Sequence, residues 1–300
     1  MSARIDVVVV SYNSAQTLRA CVEPLLGRED IAITVVDNAS TDGSLDAIAG
    51  LPVRAIDAGR NGGFGFGCNA GMAAGDAPLV LFLNPDARIE PEDVDRLVAV
   101  LDAEPDVALV GPRLLDGDGE LIPSIRRWQR ASSIWAQALF AHRLFARAAW
   151  ANEINRQPEA YEQVAYPEWI SGACMLGRRP ALEAIGGFDE GFFLYCEDMD
   201  LCARLVAAGH RMRYEPSATV NHVGGHSAPR SALLAILADS RIRFARKHAS
   251  RPSAVMQRVG IAVDAATHSV AGLRRPGYAR GHAAALVAAL RSRTARHGTA

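Results

Sequence analysis

Glu197, Asp198 and Asp200 fall within four consecutive residues, one residue after the aromatic run Phe192-Phe193-Leu194-Tyr195. A carboxylate beside apolar rings is partly desolvated, which raises its proton affinity and makes it a better general base. The same acids opening a helix would also serve as ordinary N-terminal charges. His222 offers a neutral imidazole that can ligate a metal, and equally suits a core or surface histidine. Asn84-Pro85-Asp86 supplies another acid. One carboxylate is too few for an all-protein cage, but it suits Mg²⁺ or Mn²⁺, which take phosphate oxygens and water as further ligands. A turn with a helix N-cap would use the same residues. Ser11-Tyr12-Asn13 and Asp37 form a further group. A carboxylate there can accept from a base N–H and Tyr12 can stack on a base, although a plain turn has the same composition. Arg60 to Asn69 is rich in glycine, which permits close backbone approach ahead of a helix N-terminus that favours an anion such as diphosphate. No such run follows the first strand, so the dinucleotide fingerprint is excluded.

These groups need a scaffold, and the first hundred residues supply an alternating one. Ile5–Val10 and Ile31–Val36 read as short buried strands, Val53–Ile56 as a shorter strand, and Leu79–Leu83 and Val107–Gly111 as further strands. Ala15–Leu26, a segment from Thr41 to Ala49, Cys68–Ala74 and Pro91–Ala103 read as the helices between them. The order predicts an α/β fold with a mostly parallel nucleotide-binding sheet flanked by helices. Ligands in such sheets bind at the carboxyl ends of strands, where Ser11, Asp37 and Asn84 fall. From Gly117 to Tyr166 arginines interleave with aromatic residues, as in an amphipathic helix or a mobile loop. Trp169–Leu176 reads as a strand, Pro180–Ile185 and Met199–Ala208 as helices, and Arg211–Tyr214 and Thr219–His222 as short strands. The expected organisation is one domain over 1–240, with a nucleotide half at about 1–116 and an acceptor half at about 117–240. A helical extension over 241–300 follows, broken at Pro252 and near Pro276.

The net charge of −1 is unevenly spread: 241–300 carries twelve Arg or Lys against the single acid Asp264. A basic tail on an acidic body suggests an anionic partner such as a membrane surface, and a solvated arginine-rich helix is the plain alternative. No apolar stretch has transmembrane length, so membrane contact is expected to be peripheral. The five cysteines form no Cys-x-x-Cys pair and read as reduced thiols of a cytoplasmic protein, with the inner face of the cell membrane as the place of contact.

In order, the chain carries Val-Ser-Tyr-Asn, Val-Asp-Asn-Ala-Ser-Thr-Asp-Gly, Asn-x-Gly-Phe-x-x-Gly-x-Asn, Asn-Pro-Asp, Gly-Gly-Phe-Asp-Glu and Glu-Asp-x-Asp. Over roughly 5–226 it resembles the family 2 glycosyltransferases of GT-A fold. Trp169–Cys174 and Phe193–Asp198 are most similar to the rhamnosyltransferase branch. The resemblance implies a nucleotide-sugar donor, dTDP-L-rhamnose for that branch, near Ser11, Tyr12, Asn13, Asp37, Asn61, Asn69 and Asn84. It implies that Asp86 is the last acid of an Asp-x-Asp metal motif, with His222 a metal or diphosphate ligand for Mg²⁺ or Mn²⁺. Asp198 matches the general base of an inverting transfer, and Trp169, Glu197 and Asp200 fall on the acceptor side, Glu197 and Asp200 orienting either the acceptor or the local backbone. The acceptor implied is a polyprenyl-diphosphate-linked or other glycan, not nucleic acid. Asn84 departs from the motif by replacing its first acid, which removes a charge from the metal site. A nucleotidyltransferase would share the sheet but carries an Arg-containing Gly-rich loop after the first strand, where Ser11-Tyr12-Asn13 stands here. A non-catalytic sugar-nucleotide-binding protein would not need Asp86, Asp198 and His222 intact.

Overall fold

The computed structural model describes residues 3–224 and 230–291. Every residue of Ile5–Ser11 (β1) is buried, as a strand covered on both faces requires. In chain order there follow α1 (Leu18–Val22), β2 (Ile31–Asp37), α2 (Ser44–Ala47), β3 (Arg54–Asp57), α3 (Phe64–Ala73), β4 (Leu79–Leu83) and β5 (Ala87–Ile89). Next come α4 (Pro91–Ala103), β6 (Val107–Leu115), β7 (Leu121–Ile122), β8 (Ile125–Arg126), α5 (Ala131–Ala138), α6 (Ala141–Leu144) and β9 (Trp169–Ile170). The chain continues through β10 (Cys174–Arg178), α7 (Arg179–Ala184), α8 (Glu197–Ala207), β11 (Arg211–His222), α9 (Arg230–His248), α10 (Arg251–Ala271) and α11 (Pro276–Arg291).

The main sheet runs β3-β2-β1-β4-β10-β6-β11-β5, with β7 paired to β6. The strands β3, β2, β1 and β4 are parallel, as the alternating pattern predicts. β10 then enters antiparallel to both β4 and β6, and β5 closes the sheet antiparallel to β11, so the whole is mixed. Period-2 alternation divides β1 between two cores. Val7 and Val9 join residues of α1 and α4, whereas Val8 and Val10 join residues of α3, α7 and α8.

α3 begins at Phe64 rather than Cys68, so half of the glycine-rich run is helix. Two of its glycines serve the helix–strand contact. A Cβ at Gly67 would lie 2.5 Å from Val10 Cγ1, and one at Gly71 would lie 2.3 Å from Val8 Cγ1. Across the same core Arg179 of α7 reaches Asp6 of β1. Its Nη2 donates to Asp6 at 2.7 Å, its Nε to the Ala77 carbonyl at 2.6 Å and its Nη1 to the Met72 carbonyl at 2.8 Å. Asp6 also accepts from the Ala77 amide at 2.9 Å.

The chain divides into two compact units, and the boundary expected at residue 240 falls inside α9. Among the described residues one unit holds 3–128, 154–193 and 197–224, and the other holds 129–153, 194–196 and 230–291. The second unit is helical. Ile134 of α5 joins Ala238, Ile242, Ile261, Ala265, Ala285 and Ala289 of α9, α10 and α11 in one core. Gly260 permits this closeness, since a Cβ there would meet Ile134 Cγ2 at 2.7 Å. That contact, distant in sequence, is why part of the Arg- and aromatic-rich stretch belongs with the tail. Residues 292–300 of the expected extension, and the last two of the family resemblance, lie outside the described residues.

Candidate active site

Ser11 and Asp37 end β1 and β2 opposite each other in register. Ser11 is wholly buried and its Oγ has no hydrogen-bond partner among the described residues. Asp37 is buried too, and its carboxylate accepts from the Ser40 amide at 2.8 Å and the Ser40 hydroxyl at 2.5 Å. The Asn13 amide donates to Ser40 Oγ at 2.9 Å, while its side-chain oxygen accepts from the Thr41 amide at 2.9 Å. The loops after β1 and β2 are thereby laced together, with Asn13 held at φ +51°. Tyr12 stays exposed at the strand end.

Asn38 was not singled out by sequence, yet it joins this cluster to the glycine run. Its Nδ2 donates to the Gly63 carbonyl at 2.9 Å, and its buried Oδ1 has no partner among the described residues. Its place directly after Asp37 was the available signal. Gly63 sits at φ +91°, and a Cβ there would fall 2.1 Å from the Phe193 carbonyl oxygen, so only glycine fits. Asn61 Oδ1 accepts from the Gly63 amide at 3.0 Å and so shapes this turn. The Asn69 amide grips Phe188, accepting from its N–H at 2.8 Å and donating to its carbonyl at 3.0 Å. Asn69 thus ties the Gly186–Glu190 segment to α3. Buried polar groups normally find partners, so Ser11 Oγ and Asn38 Oδ1 keep hydrogen-bonding capacity for something other than the protein.

β11 pairs antiparallel with β5, setting His222 opposite Ala87. His222 Nε2 therefore lies 3.1 Å from Asp86 Oδ1, although the two are 136 positions apart. Asn84 Nδ2 approaches the same nitrogen at 3.4 Å. One Nε2 cannot donate to Asp86 and accept from Asn84 at once. Asn84 turned over would present its oxygen to the same point. Carboxylate, imidazole and amide then converge as donors on one spot. Cis ligands around a divalent ion at 2.0–2.1 Å stand about 2.9 Å apart, close to the spacing of Asp86 and His222. No group of three His, Cys, Asp or Glu converges among the described residues. The set therefore fits an ion that takes most of its ligands from phosphate and water.

Asp198 lies in the first turn of α8. Its Oδ2 accepts from the Gly172 amide at 3.0 Å and its Oδ1 from the Met199 amide at 2.8 Å. Gly172 lies in a turn that splits the expected strand Trp169–Leu176 into β9 and β10, which frees its N–H for the carboxylate. Burial raises the Asp198 pKa above the ordinary carboxylate value, with the two amides and Arg126 pulling the other way. Glu197 is buried, its Oε2 has no partner among the described residues, and burial together with the Asp198 charge pushes its pKa well up. The proton of this adjacent pair therefore resides on Glu197, because Asp198 has the amides that stabilise its charge.

Asp200 is fully buried and accepts from Arg204 Nε at 2.8 Å, while Arg204 Nη1 holds the Ile185 carbonyl at 2.8 Å. Through Arg204 it supports the local backbone, one of the two roles open to it in sequence. Trp169 is half-buried, donates from Nε1 to the Arg127 carbonyl at 2.8 Å, and carries the Arg126 guanidinium over its ring at 5.5 Å. Arg126 is opposite Trp169 in the β8–β9 pair. The sequence offered Arg126 only as one arginine of a basic stretch.

Residues 6–186 match the family model described as Glycosyl transferase family 2. The N-acetylglucosaminyl-diphospho-decaprenol L-rhamnosyltransferase of Mycobacterium tuberculosis is 33% identical over 267 residues, covering 83% of this chain and 86% of that protein. Rhamnosyltransferase WbbL of Escherichia coli K12 is 24% identical, covering 74% of this chain and 84% of that protein. Among solved structures, a mannosyltransferase from Pyrobaculum calidifontis in complex with GDP-Man and Mn²⁺ is similar with a TM-score of 0.58 at 17% identity, over 97% of this chain and 87% of the other. S. aureus TarS 1-349 in complex with UDP gives 0.54 at 13% identity, over 97% and 90%. At these identities the structural likeness speaks to the fold alone.

Proposed function

This chain belongs to glycosyltransferase family 2 and has the GT-A fold, and on that premise we propose that it moves L-rhamnose from dTDP-L-rhamnose to a polyprenyl-diphosphate-linked acceptor, inverting the anomeric carbon. Asp198 accepts the proton of an acceptor hydroxyl. The oxygen attacks the anomeric carbon on the face opposite the diphosphate, the bond from that carbon to the diphosphate breaks, and the nucleoside diphosphate departs. In-line placement supplies much of the acceleration. Ser11, Tyr12, Asn13, Asp37, Asn38 and Asn61 hold or shape the nucleoside side, and Trp169 with Arg126 forms the acceptor side. Asp86 and His222, with Asn84, would hold a divalent cation, which would supply charge neutralisation for the leaving diphosphate.

The observation that carries the reading is Asp198: a carboxylate in the first turn of α8, fixed by the Gly172 and Met199 amides. The choice of sugar and acceptor is supported by the name of the mycobacterial relative, which covers most of both chains. All five cysteines are buried and form no disulfide among the described residues, in keeping with a reducing compartment. No described helix is long and apolar enough to cross a membrane, so contact with a lipid-linked acceptor is peripheral in this reading.

The test is a screen of nucleotide-sugars for nucleotide release with a short-chain N-acetylglucosaminyl-diphospho-lipid. dTDP-L-rhamnose should turn over faster than UDP-glucose, and the product should show inverted anomeric configuration by NMR. A UDP-hexose as the better donor would move the protein to another branch of the family. Cation dependence is tested in the same assay. EDTA should inhibit, Mg²⁺ or Mn²⁺ should restore activity, and Asp86→Ala should lose more than His222→Ala because it removes the charged ligand. Undiminished turnover in EDTA, with Asp86→Ala still active, would remove the cation from the reaction.

A further inference from the structure

One end of the helical unit gathers exposed apolar side chains and arginines. Residues 139–152 and 265–291 contain no Asp or Glu. At the α5–α6 corner Leu139, Leu144, Phe145 and Trp150 are exposed, Leu144 to 84%. At the α10–α11 turn Val270, Leu273 and Tyr278 are exposed, Leu273 to 69%. The two turns are neighbours. Thr267 Oγ1 donates to the Ala138 carbonyl at 2.9 Å, and the Phe140 ring lies 4.4 Å from that of His268. His268 then stacks on His282 at 5.2 Å, and His282 meets Tyr278 at 4.4 Å. A chain of four rings therefore ties corner to turn. Arg143, Arg147, Arg274, Arg275 and Arg280 are exposed on the same two segments.

We propose that this end docks on an anionic lipid bilayer, with both turns entering the headgroup layer. The inference rests on the lipid-acceptor reading only in giving it a way to reach the bilayer; its evidence is separate. Contiguous exposed apolar groups mark an interaction surface. Tryptophan and tyrosine suit the depth of the headgroups, and flanking guanidiniums suit anionic lipids. Two copies of this chain would bring like charges together across such a surface, so a self-interface is disfavoured. The helices lie on the membrane rather than cross it, as for an interfacial protein.

The test is co-sedimentation of the full chain with vesicles of phosphatidylcholine, alone or mixed with phosphatidylglycerol. The wild type should bind the anionic vesicles and release in high salt. Arg274→Gln with Arg275→Gln should weaken partitioning by about 30-fold, roughly fivefold for each arginine. Leu144→Glu and Leu273→Glu should each weaken it about tenfold or more, with unchanged melting temperature, because both side chains are exposed in the free protein. All these variants should keep wild-type turnover of a short-chain acceptor in the absence of vesicles. Equal binding to neutral vesicles that ignores the leucine substitutions would overturn the proposal. So would a dimer, seen by analytical ultracentrifugation, that Leu144→Glu dissolves in a protein without vesicle affinity. Vesicle binding with these sensitivities, but no turnover of any lipid-diphosphate acceptor, would uphold the docking surface and sink the acceptor reading instead.

Discussion

Asp198→Asn should lower kcat by about 10²–10⁴-fold and leave donor affinity nearly unchanged. The amide keeps the shape of the carboxylate and removes the base. One oxygen remains to accept from either Gly172 or Met199, so α8 keeps half of its anchoring at this residue. The pH profile separates base loss from misfolding. The base works only when deprotonated, and burial raises its pKa. Log kcat/KM of the wild type should therefore fall with unit slope as pH drops through that raised value, at a higher pH than the usual aspartate value of about 3.9. Glu197→Gln should retain this limb, because Glu197 is already neutral and glutamine imitates it. Asp198→Asn should abolish the limb in the residual activity. Near-normal turnover by a folded Asp198→Asn protein would remove Asp198 from the role.

Arg179→Met should cost about 3–5 kcal/mol of folding stability, the usual range for breaking a buried ion pair from one side. Asp6 stays behind in the core beside β1 with the Ala77 amide as its one remaining donor among the described residues, and the Ala77 and Met72 carbonyls lose theirs. The measurement is the urea midpoint at constant m-value. Adding Asp6→Asn to Arg179→Met should recover part of the loss, because the stranded charge is gone, and the coupling of the two positions should appear in the double-mutant cycle. Donor affinity of the folded fraction should be unaffected, since Asp6 lies near the start of β1 and Ser11 at its end. A loss below about 1 kcal/mol would show that the pair contributes no more than an exposed one.

Much of the scaffold was legible locally. The apolar runs at β1, β2 and β4 announce buried strands because each residue's environment there is set by its immediate pattern. The polar residues that end them, Ser11, Asp37 and Asn84, fall at strand ends for the same reason. The acid triplet of α8 could be recognised but not apportioned. Successive helical residues turn by about 100°, so adjacent acids meet different surroundings. Asp200 is fully buried and pairs with Arg204 one turn on, while Asp198 meets the Gly172 amide. That phase is fixed by packing against the sheet, which no window of sequence contains. His222 reaches Asp86 only through the β11–β5 ladder, β10 enters antiparallel only after the turn at Gly172, and residues 129–153 join the tail only through contacts such as Gly260 with Ile134. Each depends on partners far apart in the chain. Local periodicity specifies an element and its buried face, whereas strand direction, helix phase and the meeting of distant side chains follow from which buried surfaces fit one another.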